Sequence, residues 1–577
     1  MSSFADGGLC RATVFAGLTL ALLAGPVRAA SEPSSHPPRP PDWAIVPDDD
    51  EGIVAPFSRA ELQKAARRAA AGPRLRALRV SSGRPFAGDR RLLATITPNG
   101  DGLRDRAIVS FRLARPATVR LVVLTPSRHP KIIASTQTDF TAGVAHLVWA
   151  PPATILPRTY LLRLLVSTAG GRRKVYGLGD HRLVRIAAAP VVRVQGVDAS
   201  FGASSYPAGA HAHLRIATDA SSLTLQVFHA GPEAQETQGY GMEGEPVSAP
   251  RELDWSQHRR RPGAVTVNVG DWPSGVYFAR LTASDGRVGY APFLVRPQPQ
   301  TTQRIAIVMH TDTWQAYNHQ DVDGDGWGDT WYAAGDIRTV ALGRTFVRGG
   351  APPHWRRYDL PFLHWLYRTG KDADFLADED LERFPSARAL ARRYDLLVFE
   401  GHEEYATDRM YGLAAGYRNL GGNLMFLSAT NFLWRAVRHG NRITRVALWR
   451  TLRRPESQLV GVQYRGNDEG GHRGPYELTP LGEASWVFAG VDPDDLSDWR
   501  SFGIEYDMTT SASPRGTQVL ARVNPHMRSR LRGEMTYYKL GDAKVFSAGT
   551  LNFRGAVYYF PAYRQVLENV WARLAQP

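Results

Sequence analysis

From about residue 91 to 189 apolar and polar positions alternate along the chain. AIVSFRL, TVRLVVL, AHLVWA, TYLLRLLV and HRLVRI follow at short spacing with Pro, Gly and Asn between them, the pattern of an antiparallel β-sandwich. The pattern recurs from 190 to 298, where HLRIAT, SLTLQVFH, AVTVNV, GVYFARLTA and GYAPFLV predict a second β-sandwich. From 302 to 577 the rhythm changes. The strand QRIAIVMH, the helix PFLHWLYRTG, the strands DADFLAD and YDLLVFEGH, the helix TDRMYGLAAGYRNLG and the strand GGNLMFLSA, entering another helix at Asn431, alternate as in an α/β unit with a parallel sheet. Ligands of such sheets sit beyond the carboxyl ends of the strands, so the loops after His310, Glu400 and Ser428 are expected to meet at one crevice.

The N-terminal residues carry a different signal. Residues 1–30 hold a basic residue, the apolar run ATVFAGLTLALLAG and a small-residue cleavage pattern at PVRAA, which reads as a secretory signal peptide too short to span a bilayer. A secreted, periplasmic or extracellular destination follows as an expectation. Residues 31–90 are rich in proline near SEPSSHPPRPPD and read as a tether. The one cysteine, Cys10, falls inside the expected leader, so neither disulfides nor thiol chemistry is expected of the mature chain.

The charge is +15, with six lysines among 70 basic residues. The arginines are scattered, and no motif interleaves them with stacking aromatics, so nucleic-acid binding is not expected. No later segment is apolar and long enough for a transmembrane helix. A homo-oligomer is left open.

Two short stretches could hold cations. In DVDGDGWGD, Asp321, Asp323, Asp325 and Asp329 stand at positions 1, 3, 5 and 9 of a calcium-type loop with Gly326 at 6, but the twelfth position is Tyr332 instead of a bidentate glutamate. The alternative is an Asx-rich turn without an ion. In ITPNGDGLRD, residues 96–105, Asn99, Asp101 and Asp105 are better read as a glycine turn with Asx hydrogen bonds. With the strand pattern behind it, this opening resembles the immunoglobulin-like module of the flagellar hook-capping protein.

WQAYN at 314–318, the DEDL cluster before Pro385, GHEEY at 401–405, GGNLMFLSATNFLWR at 421–435 and VFSAGTLNF at 545–553 occur in an order that resembles the large (beta) subunit of N,N-dimethylformamidase. The resemblance covers approximately residues 190–577. It implies a multidomain β plus α/β fold, with two immunoglobulin-like sandwiches ahead of a domain similar to class I glutamine amidotransferases. The cysteine nucleophile of those enzymes is absent, its turn here being LSATN, and no His and acid are evidently placed to activate Ser428.

The family resemblance implies a mononuclear ferric iron held by two tyrosines and one glutamate. Carried onto this chain, these are Tyr317 of WQAYN, Glu404 of GHEEY and Tyr277 of the WPSGVY turn, which would otherwise read as a packed or corner tyrosine. His402 and Asn431 are implied as the neighbouring polar groups; separately, His402 or a carboxylate such as Glu534 is expected to carry the proton to the departing amine. Phenolates and a carboxylate are hard donors suited to a trivalent cation. The expected activity is hydrolysis of an amide carbon–nitrogen bond in a small or envelope-derived substrate. The added N-terminal module and expected export argue against dimethylformamide itself. A noncatalytic envelope protein that binds glycan or protein through the same modules is the alternative.

Overall fold

The computed structural model describes residues 75–576, except 127–129, 172, 178–188, 234–240, 327, 333–336, 348, 468–472, 499, 501 and 524–530. The expected leader, most of the tether and the HRLVRI segment lie outside the described residues. The chain is rich in β-structure, spread over several sheets.

The first sandwich pairs a 3-stranded sheet, Leu75–Ser81, Ala107–Leu113 and Gly143–Trp149, with a 6-stranded one. The larger sheet runs Leu93–Ile96, Val191–Val194, Arg158–Ser167, Ala117–Leu124 and Ile132–Phe140, with Arg173–Tyr176 on its side. Alternate residues point inward, so Val109 and Phe111 of one sheet meet Val119, Leu121, Leu162 and Leu164 of the other. Two boundaries differ from expectation. Leu75–Ser81 lies in the region read as tether yet pairs with Ala107–Leu113, and Val191–Val194 completes the first sandwich. Both are short strands that alternation alone does not assign to one module.

In the turn at 99–105 the acidic groups cap backbone amides. Asp105 accepts from the N–H groups of Gly100 and Gly102 at 2.8 and 2.9 Å, and Asp101 from that of Leu103 at 2.8 Å.

The second sandwich sets a sheet of Asp198–Phe201, His211–Ala217 and Gly263–Asn268 against one built on Val288–Val295, Gly275–Ala283 and Ser222–His229. Its core includes Phe201, Leu214, Ile216, Leu225, Leu281 and Phe293.

The third unit holds an 8-stranded sheet. Asp374–Ala377, Ile305–Met309, Leu396–Phe399, Asn423–Phe426 and Ala543–Ser547 run parallel, and Gly533–Leu540, Gln518–Val523 and Tyr476–Leu478 continue it antiparallel. The parallel strands are short apolar runs because both faces are covered. Ile307, Val398 and Met425 face the helices Leu360–Arg368 and Pro561–Leu574, whereas Val308, Leu397 and Phe426 face the helix Asp408–Asn419. No helix among the described residues is long and apolar enough to cross a membrane.

A separate 4-stranded sheet, Thr339–Ala341, Arg442–Leu448, Trp434–His439 and Tyr405–Thr407, lies at the carboxyl ends of these strands. It corrects the expectation of a helix entering at Asn431. Thr430 and Phe432 adopt left-handed φ of 63° and 57°, which breaks any helix start, and Trp434 then pairs with Tyr405.

Candidate active site

Three loops at the ends of the parallel strands meet. After Ile305–Met309 comes the helix Thr311–Ala316, whose N-terminus is held by Asp378: its carboxylate accepts from the Asp312 N–H at 2.7 Å and the Thr311 hydroxyl at 3.1 Å. This helix delivers Tyr317 at its end. After Leu396–Phe399 comes Glu400-Gly401-His402-Glu403-Glu404, which lies almost completely out of solvent. After Asn423–Phe426 comes the left-handed turn at Thr430 and Phe432.

The three loops are tied by their backbones. The Glu404 N–H donates to the Thr313 hydroxyl oxygen, the Phe432 N–H to the Glu403 carbonyl at 2.7 Å, and the Trp434 N–H to the Glu404 carbonyl at 2.9 Å. Asn431 accepts from the Glu403 N–H at 3.2 Å and donates to the Ser428 carbonyl at 2.9 Å. Its amide is therefore spent on holding two loops together, which makes the neighbouring polar group expected at this position a positioning one. Ser428 donates to the Leu551 carbonyl at 2.8 Å and has no histidine partner among the described residues.

A buried charge network supports this loop from below. Arg554 donates to Asp359 at 2.8 Å and lies 3.3 Å from Glu400, while His310 sits 3.1 Å from Glu400. His310, Asp359 and Glu400 could by composition hold a metal, but the guanidinium already supplies the cation there. Burial pushes His310 down to about 3 and Glu400 up to about 7, the latter against the pull of Arg554. A side chain on Gly401 would overlap the His310 ring, so glycine is needed for close approach.

Above it, oxygen atoms converge. Tyr317 donates to Glu404 Oε2 at 2.9 Å, and Tyr332 donates to the same oxygen at 2.6 Å. The Tyr332 and Tyr405 hydroxyls share a further short hydrogen bond. The Tyr317 and Tyr332 rings lie 4.4 Å apart, and Tyr405 rests on Trp331 at the same separation. Burial, and after it the Glu404 charge, pushes all three phenols well above the usual tyrosine range. Burial would also raise the Glu404 carboxyl, but the hydrogen bond and charge of His402, with the Tyr332 and Tyr405 hydroxyls, outweigh it and hold it low.

His402 completes the group. Its Nδ1 lies 2.8 Å from the Ala429 carbonyl, which fixes a proton there, so Nε2 faces the Tyr317 hydroxyl at 3.0 Å and Glu404 and Glu505 at 3.4 Å each. Burial opposes charge on this ring, but Glu505 and then Glu404 prevail and hold it at about 9. Glu505 comes from the strand Glu505–Met508 and accepts from the Thr430 hydroxyl and, at 3.3 Å, from the Asn467 amide. Burial raises its carboxyl above the usual range, against His402.

Of the residues singled out in the sequence, Tyr317, His402 and Glu404 are brought together, with Asn431 behind them. Tyr277 is not brought to them. It is wholly buried in the second sandwich, stacked between His229 and Trp272 at 4.5 and 5.3 Å, and its hydroxyl donates to the Pro273 carbonyl at 2.9 Å. The WPSGVY turn makes a corner tyrosine, tied four residues back, as a sandwich requires. Glu534 is also elsewhere, accepting from the Thr509 N–H and hydroxyl at 2.7 and 2.8 Å and paired with Arg522. Tyr332, Tyr405 and Glu505 take the vacated places. Tyr405 stands in GHEEY, and the misfit of Tyr332 with a calcium loop was itself a signal, whereas Glu505 lies in IEYDM, which carries none.

The loop from 321 to 329 folds beside the first sandwich. Asp321 accepts from the N–H groups of Asp325 and Gly326 and from the Thr159 hydroxyl at 3.1 Å, and Arg193 donates to its carbonyl. Asp329 accepts from the Val322 N–H at 2.7 Å. Asp321, Asp323 and Asp325 can each offer an oxygen within 4.8 Å of the others. Burial, with Asp325 and Asp329 adding to it against Arg193, pushes Asp321 up to about 7.

Among the described residues, phenol, carboxylate and imidazole groups make up this cluster, and Ser428 beside it is bonded to a backbone carbonyl. The chain belongs to the N,N-dimethylformamidase beta subunit-like family, whose C-terminal region it matches over residues 229–564, a stretch that contains every residue of the phenol cluster. At family level this is an amide hydrolase. No curated protein matches the chain. Among solved structures, the crystal structure of red sea bream transglutaminase aligns over 42% of this chain and 33% of its own, at 11% identity and a TM-score of 0.16, a likeness that bears on neither fold nor chemistry.

Proposed function

We propose that the chain is an exported iron-dependent hydrolase of an amide carbon–nitrogen bond in a small or envelope-derived substrate, with Tyr317, Tyr332 and Glu404 as the residues that hold a ferric ion. One observation carries this reading: the hydroxyls of Tyr317 and Tyr332 fall on a single oxygen of Glu404, at 2.9 and 2.6 Å, in a buried site. The donor set fits the metal. Two phenolates and a carboxylate carry three negative charges, which offset those of a trivalent cation, and hard oxygen donors match it. Without a cation the same site holds the phenols protonated, so the pull of a metal on them is what would release those protons.

When bound, the ion supplies Lewis acidity toward an amide carbonyl and toward water. The protein's own groups do the rest. His402, locked by Ala429, holds a proton at Nε2 and steers the Tyr317 hydroxyl toward Glu404. Glu505, a raised carboxyl beside His402, is placed to take a proton and pass it to the departing amine. Asn431 and Thr430 keep these loops in register.

The reading also takes the two sandwiches as immunoglobulin-like and the sheet domain as amidotransferase-like, supported by the facing antiparallel sheets and the run of parallel strands. Export rests on residues 1–30 alone. Calcium at Asp321, Asp323 and Asp325 is a separate proposal, supported by the convergence of their oxygens; Asp329 is engaged by Val322, and Tyr332 serves the phenol cluster. Iron analysis with visible spectroscopy tests the central claim. A purified chain from iron-supplemented cells should carry close to one iron per chain and absorb visible light through its phenolates, and a colourless chain free of transition metal would end the proposal.

A further inference from the structure

Residues 318–331 leave Tyr317 and come back at Tyr332, whose ring lies 4.4 Å from that of Tyr317. The segment is thus an Ω-loop, and its neck must be closed for the two phenols to share Glu404. We infer that Arg344 is a positioning residue for this pair: its guanidinium plugs the neck and so sets where both hydroxyls fall on Glu404. Its bearing on chemistry rests on the metal site proposed above.

Part of the neck is closed by the loop itself. The Asp329 N–H donates to the Gln320 carbonyl at 2.9 Å, and the Thr330 hydroxyl donates to the Ala316 carbonyl. Arg344 fills the rest. It is 6% exposed and enters from the turn after the strand Thr339–Ala341. Its Nη1 donates to the carbonyls of Asn318 at 3.2 Å, Gln320 at 3.4 Å and Asp329 at 3.0 Å. Its Nη2 donates to the Gln315 carbonyl and its Nε to that of Ala341, the latter at 2.8 Å. One side chain therefore grips the outgoing arm of the loop, at 315, 318 and 320, and the returning arm, at 329. The arms hold it in turn: the Gln315 amide donates to the Arg344 carbonyl at 3.1 Å, and the Asn318 amide to that of Thr345 at 2.9 Å.

The task calls for arginine. A planar guanidinium sends its N–H groups in fixed, diverging directions, whereas the three donors of a lysine sit on one atom and cannot span both arms. The Gln315 carbonyl stands at the C-terminal end of the helix Thr311–Ala316, where a cation is favoured. Burial lowers the guanidinium to about 10, against the pull of Asp329. Taking a cation out of water is costly, and here backbone carbonyls offset it, since every hydrogen bond that Arg344 donates among the described residues goes to one.

The test uses the full chain with Arg344→Lys, which keeps the charge and loses the fork, and with Arg344→Ala, which leaves a gap of the size of ethylguanidinium. Hydrogen–deuterium exchange is followed by mass spectrometry in residues 315–332 and in the strand Ala117–Leu124 of the first sandwich, beside the visible band of the iron-loaded protein. In both variants exchange in 315–332 should quicken about tenfold or more while Ala117–Leu124 is unchanged, and the band should shift or fall by about half. Ethylguanidinium should restore both in Arg344→Ala, and ethylammonium should restore neither. Unchanged exchange in 315–332, exchange that quickens equally in both segments, an unaltered band, or equal rescue by ethylammonium would overturn the inference. Should Arg344→Ala fail to fold, Arg344→Lys decides. An unaltered chain that takes up no iron would end the metal reading alone, and the exchange and rescue results would still decide the role of Arg344.

Discussion

Replacing Tyr332 by Phe separates the structural assignment of the metal site from the one suggested by the linear sequence. The substitution keeps the ring against Tyr317 and removes one hydroxyl that donates at 2.6 Å to Glu404. A hydrogen bond to a charged acceptor contributes about 1.5–3 kcal/mol. The substitution also removes the Tyr332 partner of the Tyr405 hydroxyl, which keeps a hydrogen bond to Glu404 and so is not orphaned. With about 2.1 cal/mol/K of unfolding entropy per residue over the roughly 275 residues of the α/β unit, the metal-free variant should therefore melt about 3–5 °C lower. On iron loading, one of two phenolates is gone, so the visible band should fall by roughly half or more and iron should be retained more weakly, because one of three hard anionic donors is missing. Tyr277→Phe is the partner experiment. It removes a neutral hydrogen bond to the Pro273 carbonyl, worth about 1 kcal/mol, and should leave iron content and colour untouched. The assay is iron content by elemental analysis, an absorption spectrum and a melting curve on each protein. An intact band in Tyr332→Phe, or a lost band in Tyr277→Phe, would refute the assignment.

Glu505→Gln keeps the hydrogen bonds to Thr430 and Asn467 within reach but cannot take a proton; turnover on a panel of formamides and N-acetyl amines should fall about 10²–10⁴-fold at unchanged iron content, and undiminished turnover would remove Glu505 from the mechanism. Glu456 is buried beside Arg450, and burial raises its carboxyl to about 7 from 4.5. Its folded form thus holds its proton more tightly than the unfolded chain does, so its contribution is full below pH 4.5 and is lost as pH rises through 7, about 3 kcal/mol in all. Glu456→Gln should flatten the decline in urea stability between those pH values, and an identical pH profile would contradict it. Added calcium should raise the melting temperature of the intact chain and leave that of Asp321→Asn unmoved; equal calorimetric traces with calcium and with chelator would speak against an ion in the loop.

Much of this was legible before any coordinates, and for physical reasons. WQAYN and GHEEY mark strand-end loops, and in a parallel sheet such ends converge, so the loops could be grouped from topology, while the choice of Tyr317, His402 and Glu404 within them came from the family resemblance. Tyr332 could not, because its loop returns to the site only after docking against another module; in the chain it looks like a defect in an acidic repeat. Tyr277 failed for the opposite reason. Its local motif serves a sandwich corner perfectly well, and nothing in six residues tells whether a phenol has a distant partner. The helix expected after Asn431 fell to backbone conformation: left-handed residues at Thr430 and Phe432 lead the chain into the strand Trp434–His439. Glu505 and Glu534 are both glutamates of strands, and only the pairing of strands decides which one meets His402.

Three residues separate Tyr317 from Asp321, and Asp321 is seated on Thr159 and Arg193 of the first sandwich. Gly324 and Gly326 lie so close to Leu93 and Leu161 that neither position has room for a side chain. The N-terminal module is thus a buttress for the loop that carries Tyr317 instead of a spacer. Its strands and the loop after Tyr317 form one mechanical part, and a relative trimmed to residues 229–564 would have to prop that loop with something else.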